Sequence, residues 1–222
     1  MKDLTSVIAA LVAFAVTAAL GYIVIPYLRK LKFGQTILDI GPNWHKEKQG
    51  TPTMGGIMIV AGVLLSLAIA YGYSAISGNR FATELKDSFR LTNFIAGIIM
   101  ALLMSAMGFM DDYIKVVKKR NLGLTITQKT VAQLAIIFSY LASLYFNGLT
   151  FMKIPFVGSV DLKWFFWIFG LCVIYGAVNA VNFTDGIDGL CASVTSVTAI
   201  AFCIAALMVK FTGISVLAAA LA

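Results

Sequence analysis

Two acidic clusters in a very apolar chain are the residues whose types could do chemistry. Asp111 and Asp112 stand side by side at the end of a long apolar run, and Asp185 and Asp188 follow a later run within residues 179–189. Charges at the edge of a membrane span are costly unless they are paired or used. Carboxylates suit Mg²⁺, which usually binds one or two of them together with substrate phosphates. If both clusters face one side of a membrane, the sequence predicts a site for a metal and phosphates.

The Asp111–Asp112 pair also has a purely structural interpretation. On a helix, Lys115 lies four residues after Asp111 and three after Asp112, so either carboxylate could pair with it. The two aspartates would point about 100° apart, so one could hold a metal while the other meets a different partner. From this pair alone, an interfacial ion pair that ends a helix and a functional site are equally well supported.

The segment 179–189 is the stronger signal. Asn179, Asn182 and Asp185 recur at a spacing of three, which would place them in one polar stripe on a helix. The glycines at 186 and 189 would then end the helix and allow close approach of the backbone. A capped turn between two spans needs only one or two such polar residues. The four polar groups here, Asp188 included, favour a functional interpretation.

The basic residues near these clusters are candidates for phosphate binding. Lys48 lies in the first long loop, 29–52, beside His45, which is the only histidine. A lone loop histidine is more often inert than catalytic, and Lys48 could be a simple membrane anchor. Combined with the acidic clusters, however, Lys48 could neutralise a phosphate. Lys115 and Lys129 lie near span ends and are better site candidates than the run 118–120, which is typical of a lipid-facing cluster.

Composition determines the class of element that must position these residues. Of the 222 residues, 60% are hydrophobic and only 12% are charged, against about 25% charged in soluble domains. No span alternates apolar and polar residues as a barrel strand would. The predicted fold is therefore all-α: a single integral membrane domain, residues 1–222, with about six complete spans and the start of a seventh. The spans are predicted at 4–28, 53–73, 91–110, 130–146, 164–181 and 190–209, with 213–222 beginning the last.

Charge distribution predicts the orientation and the partners. The loops 29–52 and 111–129 share one face and hold ten of the 17 lysines and arginines, which predicts a cytoplasmic face there and an N-terminus outside. The same alternation puts Lys48, Asp111 and Asp185 on one side. The net charge of +7 is spread beside the spans, which suits anionic lipids or an anionic substrate and not nucleic acid. On the other face, 149–162 is predicted as a hairpin with its turn near residues 158–159, and 78–90 as a polar loop or surface helix.

Three ordered motifs carry a resemblance to a known family. They are HKEKQGTPTMGG at 45–56, DDYIKVVKKRNLGL at 111–124 and NAVNFTDGIDGL at 179–190. With them the whole chain resembles the phospho-N-acetylmuramoyl-pentapeptide transferases, which are polyprenyl-phosphate sugar-phosphate transferases. The TPTMGG form at 51–56 favours this family over relatives that use N-acetylglucosamine phosphate.

The resemblance implies a reaction and a site. The reaction is transfer of phospho-MurNAc-pentapeptide from UDP-MurNAc-pentapeptide to undecaprenyl phosphate, giving lipid I and UMP, with Mg²⁺, on the cytoplasmic face of the bacterial inner membrane. It implies catalytic and metal-binding roles for Asp111, Asp112 and Asp185. It implies substrate binding by Lys48, Thr53, Lys115, Lys129, Asn179, Asn182 and Asp188. It also implies a homodimer and about ten spans, so this chain is expected to be an N-terminal portion.

Two rival functions remain open on the residues alone. Intramembrane carboxylates also mark ion paths, which is compatible with a carrier or a proton-coupled transporter. Transport sites lie near the bilayer midplane on broken helices, whereas these acids are predicted at span ends. The other rival is a membrane fragment without catalytic activity, which would show no Mg²⁺-dependent binding of nucleotide.

Overall fold

Long apolar helices make up most of the described chain. The structure is a computed structural model that describes residues 3–30, 53–118, 123–154 and 158–222. Its elements are α1 (Thr5–Lys30), α2 (Gly56–Ser77), α3 (Arg80–Glu84), α4 (Ser88–Val117), α5 (Ile126–Phe146), β1 (Phe151–Ile154), β2 (Gly158–Asp161), α6 (Phe165–Thr184), α7 (Leu190–Met208) and α8 (Thr212–Leu221). Within these ranges six helices, α1, α2, α4, α5, α6 and α7, are long and apolar enough to cross a membrane. The prediction of an all-α, multi-pass membrane protein is confirmed.

Helix α4 is longer than the apolar run that predicted it. Its 30 residues run from Ser88 to Val117, a length of about 45 Å. The hydrocarbon core of a bilayer is only about 30 Å thick, so the end turns of α4 reach the interfaces. Asp111 and Asp112 therefore lie on the helix itself, in its last two turns, and not in the loop beyond the predicted end at residue 110.

Two other helices begin at positions that differ from the predicted ones. Helix α5 begins at Ile126 because Thr125 and Gln128 form a capping box, in which each side chain accepts a hydrogen bond from the other residue's backbone N–H. Helix α2 begins at Gly56, three residues after the predicted start.

Two clusters of buried side chains hold the helices together. The first joins α1, α2, α3 and α8 through small residues such as Ala9 and Ala70 packed around Phe81. The second joins α5 and α6 through Ile137, Leu141, Phe166 and their neighbours. Helix α4 spans both clusters, since its Phe94 and Ile98 pack on the first and its Met104 on the second.

One end of the molecule carries α3 and the hairpin. The predicted hairpin is confirmed: β1 pairs antiparallel with β2 from Phe151 opposite Asp161 to Ile154 opposite Gly158. The segment predicted as a polar loop or surface helix contains α3, but it is not purely a surface element. Phe81 is buried there and packs edge-on against Tyr71 and Phe94.

Hydrogen bonds between helix ends establish which termini share a face. Near the start of α1, the Thr5 hydroxyl accepts from Asn79 Nδ2 at 3.4 Å, and the Ser6 and Ser215 hydroxyls lie 3.0 Å apart. The start of α1, the end of α2 and the start of α8 therefore meet at one end of the molecule. Because the helices alternate in direction, the ends of α4 and α6 and the start of α5 lie together at the opposite end.

Candidate active site at the ends of α4 and α6

A three-residue ion cluster occupies the last turns of α4. The Lys115 ammonium lies 2.6 Å from Asp111 Oδ2 and 3.2 Å from Asp112 Oδ1. The Asp111 side chain is 15% exposed, whereas those of Asp112 and Lys115 are 34% and 37% exposed. Sequence spacing allowed either aspartate to pair with Lys115, and in the structure both do. The expectation that the two carboxylates would face different partners holds only for Asp111, which has a second donor.

That second donor comes from the segment before α5. Leu124 N–H donates a hydrogen bond of 2.8 Å to Asp111 Oδ1. The preceding Gly123 packs so closely that a Cβ atom there would lie 2.6 Å from Asp111 Cγ and 2.7 Å from the Asp111 carbonyl oxygen. A side chain at residue 123 would therefore displace Asp111. Gly123 lies within the motif at 111–124, but its position in the sequence alone does not predict this contact.

Lys129 links this cluster to the end of α6. It lies in the first turn of α5, and its Nζ donates a hydrogen bond of 3.3 Å to Asn182 Oδ1. Its ammonium is also close enough to the Asp111 carboxylate for a favourable Coulomb interaction. Lys129 therefore joins the start of α5 to the end of α6 and lies near the acidic pair of α4.

A second polar pair lies one turn deeper between α5 and α6. Asn179 Nδ2 donates to Gln133 Oε1 at 3.3 Å and to the Tyr175 carbonyl oxygen at 2.9 Å. Gln133 is only 1% exposed. Gln133 was not among the predicted site residues. A glutamine inside an apolar span is nevertheless a signal of function, because polar residues there are costly.

The remaining acids lie in the turn between α6 and α7. Asp185 is the capping residue after Thr184 and is exposed, and Asp188 is exposed in the same turn. Gly189 ends the turn with a φ of 77°, a left-handed conformation that favours glycine, immediately before α7. Asn179 and Asn182 of α6 therefore contact α5, and the helix ends just before Asp185.

The first-loop candidates are placed only in part. Lys48 and His45 lie outside the described residues. Thr53 lies ahead of α2 and is half-buried, and the next residue, Met54, is buried with a φ of 71°. The structure therefore describes the α4–α5–α6 portion of the site in more detail than the loop that precedes α2.

The carboxylates fit a hard cation in type but have other partners in this arrangement. Lys115 and the Leu124 N–H engage three of the four carboxylate oxygens of Asp111 and Asp112. Within the described residues, no group of three or more His, Cys, Asp or Glu side chains is close enough together to hold a metal ion. Two adjacent carboxylates are nevertheless the usual protein contribution to Mg²⁺ that also binds substrate phosphates. The donor set therefore fits a magnesium ion completed by substrate.

Comparison with known proteins identifies the family. The sequence profile described as glycosyl transferase family 4 matches residues 94–222, more than half of the chain. The chain belongs to glycosyl transferase family 4. Signature 1 of phospho-N-acetylmuramoyl-pentapeptide-transferase also matches, at residues 48–60. The resemblance expected from the three motifs is confirmed.

Individual relatives are named for the same transferase as the matching signature. A phospho-N-acetylmuramoyl-pentapeptide-transferase of Listeria innocua is 44% identical over 170 residues, which is 76% of this chain and 48% of the relative. A protein of the same name from Bacillus cytotoxicus is 42% identical over 76% of this chain and 48% of its own length. One from Halalkalibacterium halodurans is 39% identical over 76% of this chain and 49% of its own length. The chain spans about half the length of the curated relatives it matches.

Proposed function

We propose that the protein transfers phospho-MurNAc-pentapeptide from UDP-MurNAc-pentapeptide to undecaprenyl phosphate, with lipid I and UMP as products, in peptidoglycan synthesis. The observation that carries this proposal is the meeting of Asp111, Asp112 and Lys115 with Lys129 and Asn182 at one end of the bundle. Each lies within the region that matches the family, and the relatives are named for this transfer.

The charges of the site suit the reaction. An oxygen of the acceptor phosphate must attack the sugar-linked phosphorus of the donor, and the bond from that phosphorus to the bridging oxygen of UMP must break. Both reactants are anions, so cations held close to them lower the barrier. Lys115 and Lys129 are two such cations. The Lys115 ammonium has three hydrogens and contacts two carboxylates, so one hydrogen remains for a phosphate.

The two aspartates are suited to different tasks. Asp111 is anchored, since Lys115 contacts one of its oxygens and the Leu124 N–H donates to the other. Asp112 is more exposed and contacts Lys115 through one oxygen. We assign Asp112 as the general base that removes the proton of the acceptor phosphate, because a general base must be accessible to the group it deprotonates. Direct attack and a two-step route through an aspartyl intermediate both use this arrangement.

A magnesium ion would be held by Asp111 and Asp112, with substrate phosphates as its other ligands. The family resemblance implies Asp185 as a third ligand, but Asp185 does not form a three-carboxylate group with the other two in the described structure. When bound, it would offset the charge of the diphosphate and of the departing UMP. The nucleotide end of the donor would be held by Asn179, Asn182 and Asp188, together with Lys48 and Thr53 from the segment before α2. Their side chains offer the amide, hydroxyl and charged groups that recognise phosphates and base edges.

The site is assigned to the cytoplasmic side of the bacterial inner membrane, with the N-terminus outside. The excess of lysine and arginine in the loops at that end supports this orientation. The protein is expected to act as a homodimer among membrane lipids. A carrier is a weaker alternative, because Asp111 and Asp112 lie in the last turns of an unbroken helix and not on a broken helix at the midplane.

Release of UMP tests the proposal. The full reading frame that carries this sequence would be reconstituted in lipid with UDP-MurNAc-pentapeptide, undecaprenyl phosphate and Mg²⁺. We expect Mg²⁺-dependent UMP release, lowered roughly 100-fold or more by Asp112→Asn. Asp161→Asn, the same change in the hairpin at the other end of the molecule, serves as the matched control and should retain activity.

The two rival functions predict different results for the same samples. Transport of substrate into proteoliposomes without UMP release would favour a carrier. Absence of both UMP release and Mg²⁺-dependent nucleotide binding would favour a non-catalytic membrane fragment. A wild-type rate in Asp112→Asn would refute the role given to that residue.

A further inference from the structure

The interface between α5 and α6 changes character along its length. Towards the hairpin it is apolar and tight: a Cβ atom on Gly170 would lie 2.6 Å from Leu141 Cδ2. Towards the candidate site it carries two polar pairs, Gln133 with Asn179 and Lys129 with Asn182. The Gln133–Asn179 pair is the deeper of the two, and Gln133 is almost completely buried. A buried glutamine in an apolar helix interface costs free energy unless it has a specific partner.

The hydrogen bonds of Asn179 determine which group it can offer to a ligand. Its Nδ2 group has two hydrogens. One is donated to the Tyr175 carbonyl oxygen at 2.9 Å and the other to Gln133 Oε1 at 3.3 Å. With both hydrogens engaged, Asn179 can offer a ligand only its carbonyl oxygen. That oxygen can accept from a ligand N–H or O–H, or contact a cation, but it cannot donate to a phosphate.

The same contact aligns the two helices at the site. Gln133 lies one turn after Lys129 on α5, and Asn179 lies about one turn before Asn182 on α6. A slip of α6 by one residue would shift its side chains by about 1.5 Å along the axis. A shift of that size would break hydrogen bonds such as the 3.3 Å bond from Lys129 to Asn182. The Gln133–Asn179 contact therefore fixes the axial position of α6 at which Lys129 can reach Asn182.

We propose that Gln133 is a positioning residue for donor binding. It holds the Asn179 amide so that its carbonyl oxygen is the acceptor offered to the donor, and it aligns Asn182 with Lys129. Gln133 itself touches no substrate. This inference rests on the proposed function for its substrate and on the α5–α6 contacts for its geometry.

Steady-state kinetics test the effect on substrate binding. In the full-length protein, Gln133→Leu keeps the side-chain volume and removes the acceptor. We expect it to raise the KM for UDP-MurNAc-pentapeptide roughly tenfold, the equivalent of one hydrogen bond to a binding group. The kcat should stay within about twofold, since the chemical groups are untouched. Ser139→Ala, which removes a polar group on the exposed side of α5 away from both polar pairs, is the control and should leave KM unaltered.

A shortened amide separates the hydrogen bond from general packing. Gln133→Asn keeps an amide but removes one methylene, so its oxygen should no longer reach Asn179 Nδ2, and the KM should rise as in Gln133→Leu. A wild-type KM in Gln133→Asn would contradict the proposal.

Hydrogen exchange gives an answer that is independent of activity. Amides of residues 179–185 should exchange roughly tenfold faster in Gln133→Leu, while those of 165–172, held by Leu141 and Gly170, should not change. If the wild-type protein releases no UMP, the proposed function fails, and this measurement alone decides the positioning role. Wild-type exchange at 179–185, or faster exchange along the whole of α6, would overturn it.

Discussion

Lys115 Nζ lies 2.6 Å from Asp111 Oδ2, one helical turn away on α4. The same ammonium lies 3.2 Å from Asp112 Oδ1, so one cation serves two adjacent carboxylates. Two neighbouring carboxylates repel each other, and a cation close to both offsets that repulsion. Lys115 therefore stabilises the acidic pair at the end of α4.

Replacing Lys115 by methionine tests this dependence. The variant keeps the length of the side chain but leaves Asp111 and Asp112 without their shared cation, and it removes a candidate phosphate ligand. We expect UMP release to fall roughly 100-fold or more. Lys118→Met, at the exposed residue that caps α4, is the matched control. Equal activities in the two variants would contradict the role of Lys115.

Gly123→Ala should disturb the site by a steric clash with Asp111. The added Cβ would approach Asp111 too closely, at 2.6 Å from its Cγ, so the carboxylate or the Leu124 N–H must move. We expect a loss of activity of roughly tenfold or more, in line with a small displacement of a catalytic group. Gly108→Ala on α4 meets nothing within 4 Å and should be tolerated. UMP release from both variants decides the question.

Thr125→Ala should loosen the start of α5. Thr125 caps the helix by accepting from the Gln128 N–H at 3.2 Å, and the helix then places Lys129. Loss of a cap costs about 1 kcal/mol of unfolding free energy. Denaturant titration in detergent would measure this cost. Ser139→Ala, which removes a hydroxyl bonded within the same helix to the Ala135 carbonyl oxygen, should cost less. The reverse order would count against the capping box.

Glu84→Gln should destabilise the end of the molecule away from the site. Glu84 accepts hydrogen bonds from the N–H groups of Thr212 and Gly213 at the start of α8, at 3.3 and 3.2 Å. Its charge also faces Arg90 at 3.6 Å. A carboxylate at a helix N-terminus contributes about 0.3–1 kcal/mol.

The measurement is thermal unfolding in detergent, with activity per folded molecule as a second readout. We expect a lower Tm for Glu84→Gln and unchanged activity, because α8 does not contribute to the candidate site. Thr83→Ala, an exposed neighbour, is the control. An unaltered Tm would show that the charge of Glu84 does not stabilise α8.

Features that depend on neighbouring residues were predictable from the sequence. Runs of about 20 apolar residues predicted all six spans, because a helix in lipid must satisfy its own backbone hydrogen bonds. The spacing of Asp111 and Asp112 from Lys115 predicted their pairing, since residues three and four apart meet on one helix face. The Thr125–Gln128 capping box also depends only on neighbouring residues. The prediction did not use it and therefore placed the start of α5 four residues late, at residue 130 instead of 126.

Contacts between distant segments were decided by the tertiary structure. Nothing local pairs Gln133 with Asn179 or Lys129 with Asn182, because helix register depends on contacts such as that of the Leu141 side chain against Gly170. The close contact of Gly123 with Asp111 was also not predictable from neighbouring residues. Phe81 is buried although the polar residues around it in the sequence indicated a surface segment. The sequence by itself determined the class of fold and the residues available for chemistry. Only packing decided which of them share a hydrogen bond, because a shift of one residue along a helix alters every contact between neighbours.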